Sequence, residues 1–507
     1  MDPAQRNLSD PIFYHARTRP DAPAVIDGPN TLSYRALAAL VAKTTVYLRD
    51  LGIGEGERVG LALTNSADHV VLTFALFRLG AAPVEFSPED KAEALAAGAR
   101  KYRIATFFTE PHLAAPPGVR RIRVDVAWRP AIARLSGDQR SASDSDVLHF
   151  IALTTGSTGV PSGWIMTHRN LLERVAAYGY GGWWSADRAG APRPPGNLLV
   201  ILPLHHVWSL MTLLAQLFVG GPIVLMPSYA PGPGFLRAIA AWPDAILCVT
   251  PNICRFLLRA SAANAMLLPN LRRLETGGQP LYPDEKRAVI AQVTPNFFEV
   301  YGTTASALIS GLSAAEMTAR PDTVGRPPPG MTVEIVDPQG RPLPRGVAGE
   351  IRCRPYYALR ECEEDGGSSA ERLIDGWCYT ADIGFIDTDG YIHLRGRGAD
   401  AIRRGAVEIF APEIEAVLAA HPAVAEAAVI GLRRPGQTER DEIVAFIVKR
   451  GEFGHDDLVQ HCRDRLPPAQ RPDRVYYADM LPRIAGGKLN RIRLEELAAE
   501  AEERRRG

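Results

Sequence analysis

Apolar residues return at every third or fourth position over residues 34–51, with Leu37, Leu40, Val41, Leu48 and Leu51 on one face. That spacing predicts an amphipathic helix, and Gly52 and Gly54 end it. A short strand over 58–64 and a second, more apolar helix over 67–79 follow, before Gly80-Ala81-Ala82-Pro83 breaks the run. The alternation predicts an α/β fold of layered sheets and helices. Further apolar runs at 197–204, 222–226, 246–250 and 296–301 read as strands. From about Thr332 the texture changes to short strands separated by turns, at 333–337, 349–353 and 391–394, which predicts a small β-rich subdomain. After Gly396-Arg397-Gly398 a new unit begins, with a helix over 412–420, a strand over 441–449, a helix over 456–466 and a charged C-terminal helix. We therefore expect a large N-terminal domain, 1–396, and a small α+β C-terminal domain, 397–507.

Composition narrows the class. The 507 residues are 46% hydrophobic and 22% charged, as in a globular protein with material for more than one domain. Lys+Arg and Asp+Glu both total 57, so nothing global points to nucleic acid or to an anionic membrane. Six scattered cysteines without C-x-x-C spacing argue against zinc and against a disulfide framework, and fit a cytoplasmic protein. One stretch, 207–226, is long and apolar enough to cross a bilayer. Gly220, Gly221 and Pro222 split it and Gln216 interrupts its apolar face, so it reads as a buried helix and a buried strand, not an integral membrane segment.

The chemistry concentrates first in Leu153-Thr154-Thr155-Gly156-Ser157-Thr158-Gly159-Val160-Pro161-Ser162-Gly163. Glycines let the backbone approach an anion closely, and hydroxyls and freed N–H groups bind phosphate oxygens. The loop lies between an apolar run and a helix expected from about His168, a strand–loop–helix setting suited to phosphate. It is not the nucleotide-hydrolase P-loop, since Gly-x4-Gly-Lys-Ser/Thr occurs nowhere. The segment 136–146 before it and the acidic, Gly/Ser-rich segment 361–369 read as exposed loops.

Other patterns follow in order: Pro203-Leu-His-His-Val-Trp208, Thr276-Gly-Gly-Gln-Pro-Leu281, Tyr301-Gly-Thr-Thr304, Tyr379-Thr-Ala-Asp-Ile-Gly384, Leu394-Arg-Gly-Arg397 and Gly486-Gly-Lys-Leu-Asn490. Together they resemble the adenylate-forming superfamily of acyl- and aryl-CoA ligases, peptide-synthetase adenylation domains and firefly luciferase. The resemblance implies a large N-terminal domain of layered sheets and helices with a mobile C-terminal lid, and an acid–thiol ligase that joins a carboxylic acid to ATP, releases pyrophosphate, and passes the acyl group to a thiol. It implies ATP, Mg2+ and coenzyme A, or a phosphopantetheine carrier protein in place of coenzyme A. By the same resemblance Thr154, Thr155, Gly156, Ser157 and Thr158 would hold the outer phosphates. Gly278 would belong to the nucleotide-binding set, Tyr301 would stack on adenine, Thr304 would bond the α-phosphate, and Asp382 and Arg397 would take the ribose. Lys488 would bridge carboxylate and α-phosphate, a task for a flexible ammonium group. His206 would close the acid pocket, lined by Trp208, Thr212 and Gln279, with Asn252 near them. No protein-held metal ligand is assigned.

The resemblance is broken at informative places. The phosphate loop carries Ser162 where the family has Lys, and Ala305 stands where the family has a magnesium-binding Glu. The family's Thr-Gly-Asp reads Thr380-Ala381-Asp382. A degenerate adenylate-binding pseudo-enzyme is therefore an alternative, alongside an enzyme that loads an acyl carrier protein. The Arg403-Arg404 and Arg433-Arg434 pairs are candidates to meet coenzyme A phosphates or an acidic carrier.

Overall fold

The computed structural model describes residues 7–137, 141–142, 148–154, 162–180, 194–226, 232–261, 265–355, 372–404, 407–433, 441–483 and 489–506. Two large sheets organise residues up to Ser313. The first runs in the order Ala307–Ser313, Phe297–Thr303, Arg273–Gly277, Ala245–Val249, Asn197–Val200, Ile223–Leu225, Pro23–Asp27 and Asn30–Ser33. Its interior strands are parallel, and an antiparallel hairpin closes each edge. The second runs Arg120–Arg123, Thr106–Thr109, Arg58–Ala62, Ala82–Glu85, Leu148–Thr154 and Ser162–Thr167, again with an antiparallel final pair.

Helices fill the space between these sheets because their sequences are apolar on more than one side. The helix Ala67–Leu79 is capped by the Ser66 hydroxyl, which accepts from the His69 N–H. Only Asp68 of its residues escapes burial, so it packs against both sheets. Helices Tyr34–Asp50, His168–Tyr180 and Val207–Phe218 share its core, which takes Val59 and Leu61 from one sheet and Leu198 and Val200 from the other. The intervening Leu199, and Ile201 just past the strand's end, enter a separate core on the outer face, as the two-residue strand period requires. The stretch 207–226 forms the helix Val207–Phe218 and the strand Ile223–Leu225, and no helix among the described residues is long and apolar enough to cross a membrane.

The β-rich unit is a five-stranded antiparallel sheet of Thr332–Val336, Gly349–Arg354, Arg372–Ile374, Trp377–Ile386 and Ile392–Arg397. Beyond it lie a ribbon of Ile402–Arg404 and Val407–Ile409 and a three-stranded sheet of Val424–Leu432, Glu442–Lys449 and Arg474–Tyr477. Helices Ala411–Ala419, His455–Arg465 and Arg491–Arg506 accompany them, and their two core clusters share no residue with those of the large sheets. The helix Asp10–Thr18, the hairpin Pro23–Asp27/Asn30–Ser33 and the strand Val424–Leu432 are further elements that the sequence reading does not include.

The setting of the hydroxyl-rich loop differs from the one read off its sequence. The chain does not pass from that loop into a helix. It returns first as the strand Ser162–Thr167, paired Thr154 to Ser162 and Leu153 to Gly163, and only then enters the helix at His168. The reason lies in Gly163-Trp164-Ile165-Met166, four buried residues that extend the sheet. The loop therefore closes a hairpin, and residues 155–158, which carry most of its chemistry, lie outside the described residues, as does 361–369.

Gly163 is the tight point of this hairpin. A Cβ there would meet the Tyr102 hydroxyl at 2.5 Å and Ile151 Cγ2 at 2.7 Å. Gly163→Ala is expected to destabilise the protein by about 1–3 kcal/mol, the usual cost of overpacking. Chemical denaturation checks this through a lower midpoint at unchanged slope.

Candidate active site

The strand Phe297–Thr303 ends at the rim of the first sheet, and its hairpin partner Ala307–Ser313 returns after a three-residue tip, Thr304-Ala305-Ser306. Gly302 makes the tip possible, since a Cβ there would sit 2.0 Å from the Ala307 carbonyl oxygen. The Thr303 hydroxyl accepts from the Ser306 N–H at 3.1 Å and fixes the turn. Ala305 and Ser306 are fully buried, while Thr304 stays partly open.

One turn of strand back, the Tyr301 hydroxyl donates to Asp382 Oδ2 at 2.7 Å. Asp382 sits opposite Arg397 in the antiparallel pair Trp377–Ile386/Ile392–Arg397, and Arg397 Nε lies 3.4 Å from Asp382 Oδ1. The structure thus brings together Tyr301, Asp382 and Arg397, which lie far apart in sequence. Burial pushes the Asp382 carboxyl up from its ordinary range, against the pull of Arg397 and Tyr301, and Asp400 and Glu350 add to the rise. Burial and the adjacent Asp382 also push the Tyr301 phenol well up, so it remains a donor.

Ala381 precedes Asp382 with φ +61°, in the left-handed region where glycine is favoured. The departure from Thr-Gly-Asp therefore has a physical cost. The Thr380 hydroxyl accepts from the Asp382 N–H at 3.1 Å and donates to the Ile351 carbonyl at 2.8 Å, holding the kinked backbone in register.

The remaining candidates lie on other elements. Gly278, at φ +81°, follows the buried strand Arg273–Gly277 and leaves open space around it. The neighbouring Gln279 Nε2 is buried and has no hydrogen-bond partner among the described residues. Such a donor needs an acceptor, and a ligand can provide it. His206 occupies the N-cap of the helix Val207–Phe218, its ring 4.4 Å from that of His205. Burial lowers the His205 pKa to about 3, with His206 and His69 adding to the effect, so His205 is neutral. Trp208 packs against both major cores and its indole N–H donates to the Tyr178 hydroxyl at 3.4 Å. Thr212, one turn on, is buried, and its hydroxyl donates to the Ser209 carbonyl at 2.9 Å. Asn252 is half-buried near the start of the helix Pro251–Ala260, 3.4 Å from an Arg255 donor.

Several residues here escape motif reading. Tyr178 donates to Glu275, and Glu275 accepts from Arg273 Nε at 2.8 Å, both within a buried strand. Arg174 donates to the carbonyls of Thr304 and Ala305. The available signal was a charge on an otherwise apolar element: Arg174 among Leu171, Val175 and Tyr178, and Glu275 between Leu274 and Thr276. The arginine pairs expected to meet phosphates are partly committed elsewhere. Arg404 pairs with Asp473, and Arg433 Nε donates to Asp441 at 3.1 Å, because the lid folds acidic side chains against them. Arg434 and Lys488 lie outside the described residues.

A family model described as "AMP-binding enzyme" matches residues 12–360, and one described as "AMP-binding enzyme C-terminal domain" matches 413–488. The chain belongs to the AMP-binding enzyme family. It is 26% identical over 491 residues to the 2-succinylbenzoate–CoA ligase of Bacillus cytotoxicus, covering 96% of this chain and 98% of that one. It is 27% identical over 520 residues to the fatty acid–[acyl-carrier-protein] ligase ScoC of Streptomyces coeruleorubidus, covering 97% of each. The fold matches ATP-bound MatB from Rhodopseudomonas palustris with a TM-score of 0.85 at 24% identity, over 97% of this chain and 99% of that one.

Two substitutions separate the site's strain from its chemistry. A carboxyl whose folded pKa lies above its unfolded value subtracts stability as pH rises through the interval between them. Asp382→Asn is therefore expected to weaken nucleotide binding while leaving the melting temperature at pH 7 unchanged or higher, and to flatten the loss of stability as pH rises from the unfolded Asp value. Ala381→Gly is expected to add about 1 kcal/mol by relieving the left-handed backbone. Melting curves across pH and calorimetric ATP titration check both.

Proposed function

We propose that this chain activates a carboxylic acid with ATP, forming an acyl-adenylate and pyrophosphate, and transfers the acyl group to the thiol of coenzyme A. The observation that carries this is the meeting of Tyr301, Asp382 and Arg397 at the rim of the first sheet, in a chain of the AMP-binding enzyme family. A free carboxylate repels nucleophiles and lacks a good leaving group, and AMP supplies one. The protein's work is then to hold the reactants in line and to stabilise charge on phosphate and carboxylate oxygens.

In this reading the ionised Asp382 accepts both ribose hydroxyls, as two carboxylate oxygens can, and Arg397 steadies it. Tyr301 and Gly278 flank adenine, and Thr304 donates to the α-phosphate. Thr154 to Thr158 hold the outer phosphates, and Lys488, carried by a lid that starts at residue 397, bridges the acid and the α-phosphate. His206 closes the acid pocket, Trp208 and Thr212 form its wall, and the unpartnered Gln279 amide donates into it. Position 305 offers a metal nothing, since Ala305 is a buried hydrocarbon in the main core. Among the described residues no cluster of His, Cys, Asp and Glu could hold a metal ion. Mg2+ enters on the phosphates of ATP, where it neutralises charge and keeps several waters.

The acid itself is best read as compact or aromatic. Trp208 is wedged between two cores and tied through Tyr178 to the buried Glu275, so the wall it forms does not yield easily. Trp208→Ala is expected to shift kcat/KM towards longer acids by about 10-fold or more, the scale of a single methylene in an apolar pocket. A second reading, transfer to an acyl carrier protein, draws support from the likeness to ScoC. Following AMP release with coenzyme A and with a phosphopantetheine carrier decides between the two acceptors.

The deciding experiment is pyrophosphate exchange across a panel of carboxylic acids. Exchange with at least one acid is expected, and Lys488→Ala is expected to lower it on the order of 10²–10³-fold, as loss of a transition-state charge partner does. No exchange with any acid, in protein that binds ATP, would sink the ligase reading and favour an adenylate-binding pseudo-enzyme.

A further inference from the structure

Arg174 is 2% exposed. It sits on the face of the helix His168–Tyr180 that carries Leu171, Val175 and Tyr178 into the main core. From there its guanidinium crosses to the opposite sheet and meets the hairpin tip beside the proposed α-phosphate site. Nη1 donates to the Thr304 carbonyl at 3.0 Å, and Nη2 donates to the Ala305 carbonyl. A guanidinium stays charged at any working pH and holds two acceptors in a fixed fork. Taking that charge out of water is costly, so its place behind this particular tip calls for a reason beyond packing.

The tip is where the adenylate-forming pattern carries a magnesium-binding carboxylate and this chain carries Ala305. A divalent ion with one carboxylate sums to a single positive charge, and Arg174 brings that same single charge as part of the chain. Its two hydrogen bonds tie down the carbonyls on both sides of Ala305, while the Ser306 N–H is held by the Thr303 hydroxyl, so the tip that carries Thr304 is fixed in one conformation. A lysine would give the charge without the paired geometry.

We propose that Arg174 is a positioning residue that replaces the carboxylate–metal pair at the 304–306 tip, orienting Thr304 and supplying permanent positive charge so that this tip holds a nucleotide phosphate without a protein-bound metal. The proposal deepens the ligase reading and rests on its assignment of Thr304 to the α-phosphate. The two fail separately, because nucleotide binding is measured apart from turnover.

The test is calorimetric AMP binding to the full chain, with Mg2+ and with a chelator, for wild type, Arg174→Met, Arg174→Lys and Arg174→Met/Ala305→Glu. Wild type is expected to bind AMP equally in both buffers. Arg174→Met is expected to lose about tenfold or more, the scale of charged hydrogen bonds, with Arg174→Lys in between. The double variant is expected to recover AMP affinity only with Mg2+, which a purely structural role for Arg174 would not produce. Wild-type affinity that is undetectable or depends on Mg2+ overturns the proposal. So does a folded Arg174→Met that binds AMP as wild type does. If Arg174→Met does not fold, wild-type affinity in Arg174→Lys overturns it instead. Absent pyrophosphate exchange with these binding results intact sinks only the ligase reading.

Discussion

The hydrogen bond from Tyr301 to Asp382 joins two units that have no covalent reason to meet. Tyr301 lies two residues before the end of a strand of the eight-stranded sheet, and Asp382 lies in the middle of the longest strand of the five-stranded sheet. Asp382 is held there against the cost of burial by Arg397 on one side and the phenol on the other. Through Arg397 it is tied to the first residue of the proposed lid, and in the proposed reading this carboxylate is the one that takes the ribose. The left-handed Ala381 next to it is tolerated because the Thr380 hydroxyl bonds the Asp382 N–H across the kink and the Ile351 carbonyl of the adjoining strand.

Buried charge recurs at the seams of this protein. His69 and Glu85 pair at 3.0 Å between the central helix and the second sheet. Lys286 reaches both Glu299 and the Thr323 carbonyl. Arg273, Glu275 and Tyr178 link the first sheet to the helix His168–Tyr180, and Arg174 links that same helix to the hairpin tip. Breaking one partner of a buried pair strands the other, so each of these fixes one relative placement of elements where apolar packing would accept several. Three of the four border the strands that end at the candidate site. The departures from the family pattern at Ala305 and Ala381 are absorbed by such local networks.

Legibility in the sequence followed the strength of the local signal. The helix Ala67–Leu79 matches its expected bounds, and Tyr34–Asp50 differs by a single residue, because apolar period, serine cap and following glycine agree. The strand expected over 197–204 stops at Val200, since Pro203 begins a turn that His206 closes onto the Pro203 carbonyl. The strand Ser162–Thr167 was hidden because an unbroken apolar run can be read as either strand or helix until its partner is known. Tyr301, Asp382 and Arg397 were legible as motif residues, whereas Arg174, Tyr178 and Glu275 belong to no motif and gain meaning only from what they touch.

The order of motifs along the chain was enough, by itself, to determine the family and the α/β class, because those depend on residue identity and short-range period. Which of those residues meet was decided only in the tertiary structure. Asp382 opposite Arg397 is a matter of strand register, Tyr301 against Asp382 of sheet docking, and the hydroxyl loop's hairpin of a strand pairing one step away. The carbonyls at Thr304 and Ala305 find a cation 130 residues earlier in the chain. Local sequence carries no energy for contacts at that range. They exist because folding places buried polar groups where only one another, or a ligand, can satisfy them.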